Sequence, residues 1–213
     1  MKWNNSFIFR GLPTDAEGKV VRIGEDVSWI ESVEDIKGDA ICISSLTLPD
    51  EVIDACIEYV LENKPKLYVV ACVSLGDVGI IEARFHLSPI MLLHKLGLLD
   101  QNCTVVGANY LDNDDVDLMA QCGAGVVLCP SYSLGCGYGF PNVVPLLKKL
   151  NEVTLGTFDN RYNASGGVMD EARLLYLGTA CSMRSENALT LEDVIEITGF
   201  TGNETDLKKL LNI

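Results

Sequence analysis

From residue 39 onward, short runs rich in β-branched residues alternate with stretches whose apolar positions recur every three or four residues. That alternation marks consecutive βα units and a mostly parallel sheet. The run Asp39-Ala40-Ile41-Cys42-Ile43-Ser44 predicts a strand. Pro49, Asp50 and Glu51 then open a helix whose apolar stripe is Val52, Ile53, Cys56, Ile57, Val60 and Leu61. A strand over 67–73 is followed by a variable stretch through residue 87 and a helix from Ser88-Pro89 to near Gly97. Further strands are expected at 104–106, 125–128 and 153–155. The helices between and after them start at Asp112 or Asn113, near Val143, near Met169, after Thr190 and at about Glu204, with a Gly-rich loop following residue 128.

Residues 1–38 are less regular: Phe7-Ile8-Phe9 and Lys19-Val20-Val21-Arg22-Ile23 suggest strands, and Trp29-Ile30 a strand or a loop. No internal repeat, low-complexity tract or linker interrupts the chain. The expected organisation is a single domain over 1–213, with a β-rich lead-in (1–38), βα units (39–200) and a C-terminal helix (201–213). The fold class is α/β. Five βα strands are fewer than the eight that close a barrel, so a partial or modified TIM-type (β/α) barrel is expected. An unclosed barrel leaves strand edges and an apolar face to be covered. With 48% apolar residues and a mean hydropathy of +0.21, the expected partner is a second copy, giving a homodimer, or another protein subunit covering that open face.

Charge narrows the function classes. Thirty acidic residues against 16 basic ones give a net charge of -14, which repels nucleic-acid backbones and anionic membrane surfaces. The polar start, Met1 to Ser6, and the lack of a bilayer-length apolar run predict no signal peptide, no membrane span and a cytoplasmic protein. Eight cysteines without a C-x-x-C pair read as thiols in a reducing compartment, not as a zinc ribbon.

The most specific stretch is 103–176. It reads Thr104-Val105-Val106-Gly107, then Leu111-Asp112-Asn113-Asp114-Asp115 leading a helix, then Val126-Val127-Leu128-Cys129-Pro130, Gly137-Tyr138-Gly139-Phe140-Pro141 and Val153-Thr154-Leu155-Gly156-Thr157. In order and spacing these elements resemble the second half of an amidohydrolase of the metal-dependent deaminase and chlorohydrolase branch. Less specifically, the resemblance extends over most of residues 39–200. It implies a barrel with an active site at the carboxyl ends of its strands. The small β-sandwich and the His-x-His strand that precede this region in the family are expected to be missing.

The resemblance also implies metal ligands, and here the chain departs from the pattern. The His and Glu after the strand over 67–73 are matched by Ala71 and Ser74, the next His by Gly107, a further His by Tyr110, and the aspartate after Leu-Gly-Thr by Phe158. Ala, Gly and Phe offer no lone pair, so no metal and no other cofactor is expected.

Asp159 is the candidate catalytic residue, since a bulge at Thr157-Phe158 would turn its carboxylate inward; the alternative is ordinary polar loop chemistry. Cys129, Ser131, Gly137 and Gly139 form a candidate ligand-binding loop over the barrel mouth. His86 and His94 align with no ligand position, and Cys72 and Cys129 lack a partner histidine that would make either a nucleophile. Two readings remain. One is a noncatalytic binding or subunit protein, with a possible small-molecule ligand; the other is a hydrolase or deaminase acting on C–N bonds, its site rebuilt around Asp159 or completed by a partner.

Overall fold

The computed structural model describes residues 27–158, 161–163, 167–198, 200 and 202–213. The expected strands at 7–9 and 19–23 lie outside these residues, as does Asp159. Six strands are found among the described residues: β1 (Ser28–Ile30), β2 (Ala40–Ile43), β3 (Lys66–Ala71), β4 (Cys103–Gly107), β5 (Gly125–Leu128) and β6 (Val153–Leu155). They form one sheet in the order β1-β2-β3-β4-β5-β6, every neighbouring pair parallel. Sequential parallel order with intervening helices is the arrangement of a barrel wall. In the described sheet β1 and β6 are the two edges, so the wall is open.

Alternation along the strands sorts the core into two layers. Ile41, Ile43, Leu67, Val69, Cys103, Val105, Val126, Leu128 and Leu155 pack with helix residues such as Val52, Cys56, Leu93, Met119, Leu146 and Leu175. The opposite face carries Cys42, Tyr68, Val106 and Val127, which cluster with Cys129, Tyr132 and Phe158. Cys42, Val106 and Val127 are fully buried, so the inner face is not bare along its middle strands.

The helices are α1 (Asp50–Asn63), α2 (Leu75–Phe85), α3 (Pro89–Lys95), α4 (Asn113–Cys122), α5 (Pro130–Cys136), α6 (Val143–Lys149), α7 (Val168–Met183), α8 (Leu191–Thr198) and α9 (Glu204–Leu211). Two correct the sequence reading. The stretch before residue 87 holds α2, whose start is set by a capping box: the Ser74 side chain accepts from Asp77 N, and the Asp77 side chain accepts from Ser74 N. Gly76 and Gly79 lower the helical signal there, whereas Ser-x-x-Asp announces it. The Gly-rich segment is the second case, because Pro130–Cys136 is helical and the loop is confined to residues 137–142. Proline at the first helical position costs no hydrogen bond, which is why Cys-Pro can open α5 directly after β5. The choice left open before α4 falls on Asp112, whose side chain accepts from Asp115 N at 2.8 Å. Trp29-Ile30 is a strand, paired with β2. No described helix is long and apolar enough to cross a membrane.

Candidate functional site

The carboxyl ends of β2, β3 and β6 open into a cavity of about 240 Å³. The segment after β2 contributes Ser44, Ser45, Leu46 and Thr47; β3 and its exit contribute Val70, Ala71, Cys72 and Val73. Asp77 and Ile81 come from α2, Pro89 from α3, Tyr132 and Tyr138 from α5 and the turn after it, and Phe158 from the exit of β6. Convergence of strand ends puts side chains from distant parts of the chain around one point.

Aromatic rings dominate one wall. Phe158 stacks on Tyr132 with centroids 4.3 Å apart and planes at 24°, and it meets Trp29 edge-on at 6.5 Å. Tyr132 meets Tyr138 edge-on at 5.9 Å. Phe158 is 7% exposed and has φ +60. A bulky residue in the left-handed region is costly, and the ring stack is the packing that holds it there.

Ala71 and Gly107 end adjacent strands and are register partners. Ala71 lines the cavity. Gly107 has φ +103, and a Cβ on it would lie 2.4 Å from Val73 Cγ2, so glycine is required twice over, by backbone and by space. Ser74 is committed to capping α2.

Of the candidate ligand-binding loop, none of Cys129, Ser131, Gly137 and Gly139 is among the described residues lining this cavity. Ser131 is buried and turned toward α7, donating from N to Glu171 Oε2 at 2.8 Å and from Oγ to Glu171 Oε1 at 2.5 Å. Cys129 is buried in the inner cluster, and burial pushes its thiol well above the ordinary range. Cys72 is likewise raised by burial and by the carboxylates of Asp115, Asp77, Asp112 and Glu82. Neither is a thiolate at neutral pH. Gly137 ends α5 at φ +68. Gly139, at φ +96, lies so close to Tyr110 that a Cβ would sit 2.6 Å from the phenol oxygen.

His86 terminates α2 in the left-handed conformation and His94 lies in the last turn of α3, both exposed. Among the described residues no group of three or more His, Cys, Asp or Glu side chains is arranged to hold a metal ion.

No family model matches the chain. Individual relatives do. It is 25% identical over 193 residues to a 5-methylthioadenosine/S-adenosylhomocysteine deaminase of Caldicellulosiruptor saccharolyticus, covering 88% of this chain and 44% of that protein. A protein of the same name from Pyrococcus abyssi is 24% identical over 152 residues, covering 69% of this chain and 36% of its own length. Among solved structures, a zinc-bound adenosine deaminase from Xanthomonas campestris superposes with a TM-score of 0.68 at 19% identity, over 75% of this chain and 36% of that one. A zinc complex of atrazine chlorohydrolase from Arthrobacter aurescens gives 0.66 at 16% identity, over 81% and 38%. In sequence the chain is thus similar to these deaminases, and in fold to the deaminase and chlorohydrolase structures of the amidohydrolase type. The chain spans less than half the length of the curated deaminases it matches.

Sequence reasoning missed Tyr132, Tyr138 and Asp77 as cavity residues. The Ser74-x-x-Asp77 spacing carried the signal for the last. The tyrosines were hidden because the glycines around them read as loop.

Proposed function

We propose that this amidohydrolase relative is a noncatalytic, cytosolic binding or regulatory protein, whose cavity at the carboxyl edge of the sheet takes a small molecule. The observation that carries this reading is the content of the strand ends: Ala71, Gly107 and Phe158 stand where the family resemblance implies ligands, and the Phe158 ring is packed on Tyr132. Methyl, hydrogen and benzyl groups cannot bind a divalent ion, and the ligands must jointly offset its desolvation. Without the ion, no bound water is made nucleophilic near neutral pH.

The test is elemental analysis of the purified chain, combined with assay of 5-methylthioadenosine, S-adenosylhomocysteine and adenosine deamination. The expected result is no stoichiometric zinc or iron and no turnover, with Asp159→Ala changing neither. Stoichiometric metal that disappears in Asp159→Ala would overturn the reading. It would favour the second one, supported by the deaminase names of the curated relatives: a C–N hydrolase whose site is completed by Asp159 or by a partner.

The two unpaired edges of the described sheet support a partner along β1 or β6, a second copy or another subunit. Light scattering is expected to give a mass above that of one chain; a strictly monomeric species at all concentrations removes the homodimer.

A further inference from the structure

We propose that the cavity binds a small organic cation, an alkyl- or arylammonium ion held by Asp77 against the rings of Tyr132, Tyr138 and Phe158. The proposal rests on the reading of this cavity as a binding site and names its ligand class. Among the described residues the wall includes one carboxylate, Asp77, and no Lys, Arg or His. An anion would therefore find no countercharge in the described wall.

The neutral polar groups are largely engaged elsewhere. Ser44 Oγ donates to Ile30 O at 2.6 Å, and the Ser45 and Thr47 hydroxyls bond each other at 2.7 Å. A ligand that depends on several hydrogen bonds has little left to use. Asp77 differs: Oδ2 accepts from Ser74 N at 3.1 Å, while Oδ1 takes no hydrogen bond among the described residues.

The rings supply the rest of the attraction. Tyr132 and Tyr138 stand at 64° with centroids 5.9 Å apart, forming a corner, and Phe158 extends the wall behind Tyr132. Ring faces carry partial negative charge and attract ammonium groups most strongly where water is excluded. The close approach of Gly139 to Tyr110 sets the segment carrying Tyr138 down on the fold, which gives that glycine a role in building the corner.

The surroundings have the same sign. Asp115, Asp77, Asp112 and Glu82 all raise the Cys72 thiol, which itself lines the cavity, and the whole chain carries -14. Such a field concentrates cations at the mouth. At about 240 Å³ the space is below the roughly 300–1,000 Å³ of pockets for drug-sized molecules, so the ligand is small.

The experiment is calorimetric titration of the full chain with choline and phenethylammonium, beside the neutral choline isostere 3,3-dimethylbutan-1-ol and the anion 3,3-dimethylbutanoate. Saturable binding of at least one ammonium is expected, with choline or phenethylammonium on the order of tenfold or more tighter than the neutral alcohol. No binding of the anion is expected. Asp77→Asn should weaken the ammonium by about tenfold and leave the alcohol unchanged. Because Asp77 also caps α2, circular dichroism checks the fold of that variant. Tyr138→Leu, which leaves the cap intact, should weaken the ammonium as well.

The proposal is overturned if neither ammonium saturates, if the alcohol or the anion binds as tightly, or if folded Asp77→Asn and Tyr138→Leu bind unchanged. Binding of the alcohol without the ammonium would end the cation assignment while leaving a binding protein in place. Stoichiometric metal with nucleoside turnover would end the underlying reading itself.

Discussion

Gly107→Ala is expected to lower the stability of the chain by about 3–5 kcal/mol, a large effect for one methyl group. Two costs combine. The backbone at Gly107 has φ +103, and the added Cβ would stand 2.4 Å from Val73 Cγ2. Holding a non-glycine residue in such a region costs about 1–3 kcal/mol, and forcing a carbon into packed space costs a similar amount. Urea denaturation of Gly107→Ala, Val73→Ala and the double variant separates them: the double variant should recover the steric part and retain the backbone part. Unchanged midpoints in Gly107→Ala would refute the argument. The same geometry bears on any attempt to restore a metal site. Histidine at 107 must begin from that same Cβ, so Ala71→His, Gly107→His and Phe158→Asp together are expected to unfold the edge before they bind zinc.

Much of the fold was legible because its elements obey local rules that tertiary packing does not override. The strands at 40–43, 103–107 and 125–128 are apolar runs buried on both faces, and such runs announce themselves without alternation. Helix α4 can be read from Asp112 and Asp115 in a capping box, and α9 from Asn203, whose side chain accepts from Asp206 N. The family resemblance added what periodicity does not supply, namely that consecutive units curl into a barrel wall. Helices α2 and α5 were missed because glycines at 76, 79 and 135 suppress helical propensity. At Gly135 the reason is tertiary: a Cβ there would meet the Tyr162 ring at 2.3 Å.

The candidate site was legible as positions rather than as contents. Ala71 and Phe158 line the cavity and Gly107 pairs with Ala71; it was the family resemblance that singled these positions out. The groups that fill the space were not legible. A ring stack such as Phe158 on Tyr132 joins residues 26 positions apart, and no local pattern encodes that meeting. Ser131 shows the same limit: the sequence places it in a candidate ligand-binding loop, and no local pattern announces its bond to a carboxylate 40 residues away.

That carboxylate carries the second large effect: Glu171→Ala is expected to cost about 3–5 kcal/mol. Glu171 is wholly buried in the first turn of α7 and accepts from Ser131 N, Ser131 Oγ and Asn163 Nδ2, the last at 2.8 Å. Ser131 is the second residue of α5, so the carboxylate satisfies one of the orphan donors at that helix start and faces its positive end. Truncation leaves these donors buried without a partner and loosens α5, which holds Tyr132 in the cavity wall. Binding should therefore weaken along with stability.

The same group sets a pH dependence whose sign is opposite to that of an ordinary paired carboxylate. Burial raises the Glu171 carboxyl above its ordinary value of 4.5, against the lowering effect of Ser131 and Asn163. The folded chain thus holds the proton more tightly than the unfolded one. The resulting stability is fully present below pH 4.5 and is lost as pH rises through the folded value. Asp115, raised by burial despite its bond from Ser88, acts in the same direction, whereas Asp35, lowered chiefly by Ser32, acts in the other. Relief of repulsion within a chain of net charge -14 would also favour mild acid, so only a difference is diagnostic. Urea midpoints measured from pH 4.5 upward should fall less steeply in Glu171→Gln than in the unmodified chain, because the variant removes one titrating group and keeps its shape. Parallel slopes would mean that Glu171 does not titrate with folding, and the buried carboxylate would then be ionised throughout by its three donors.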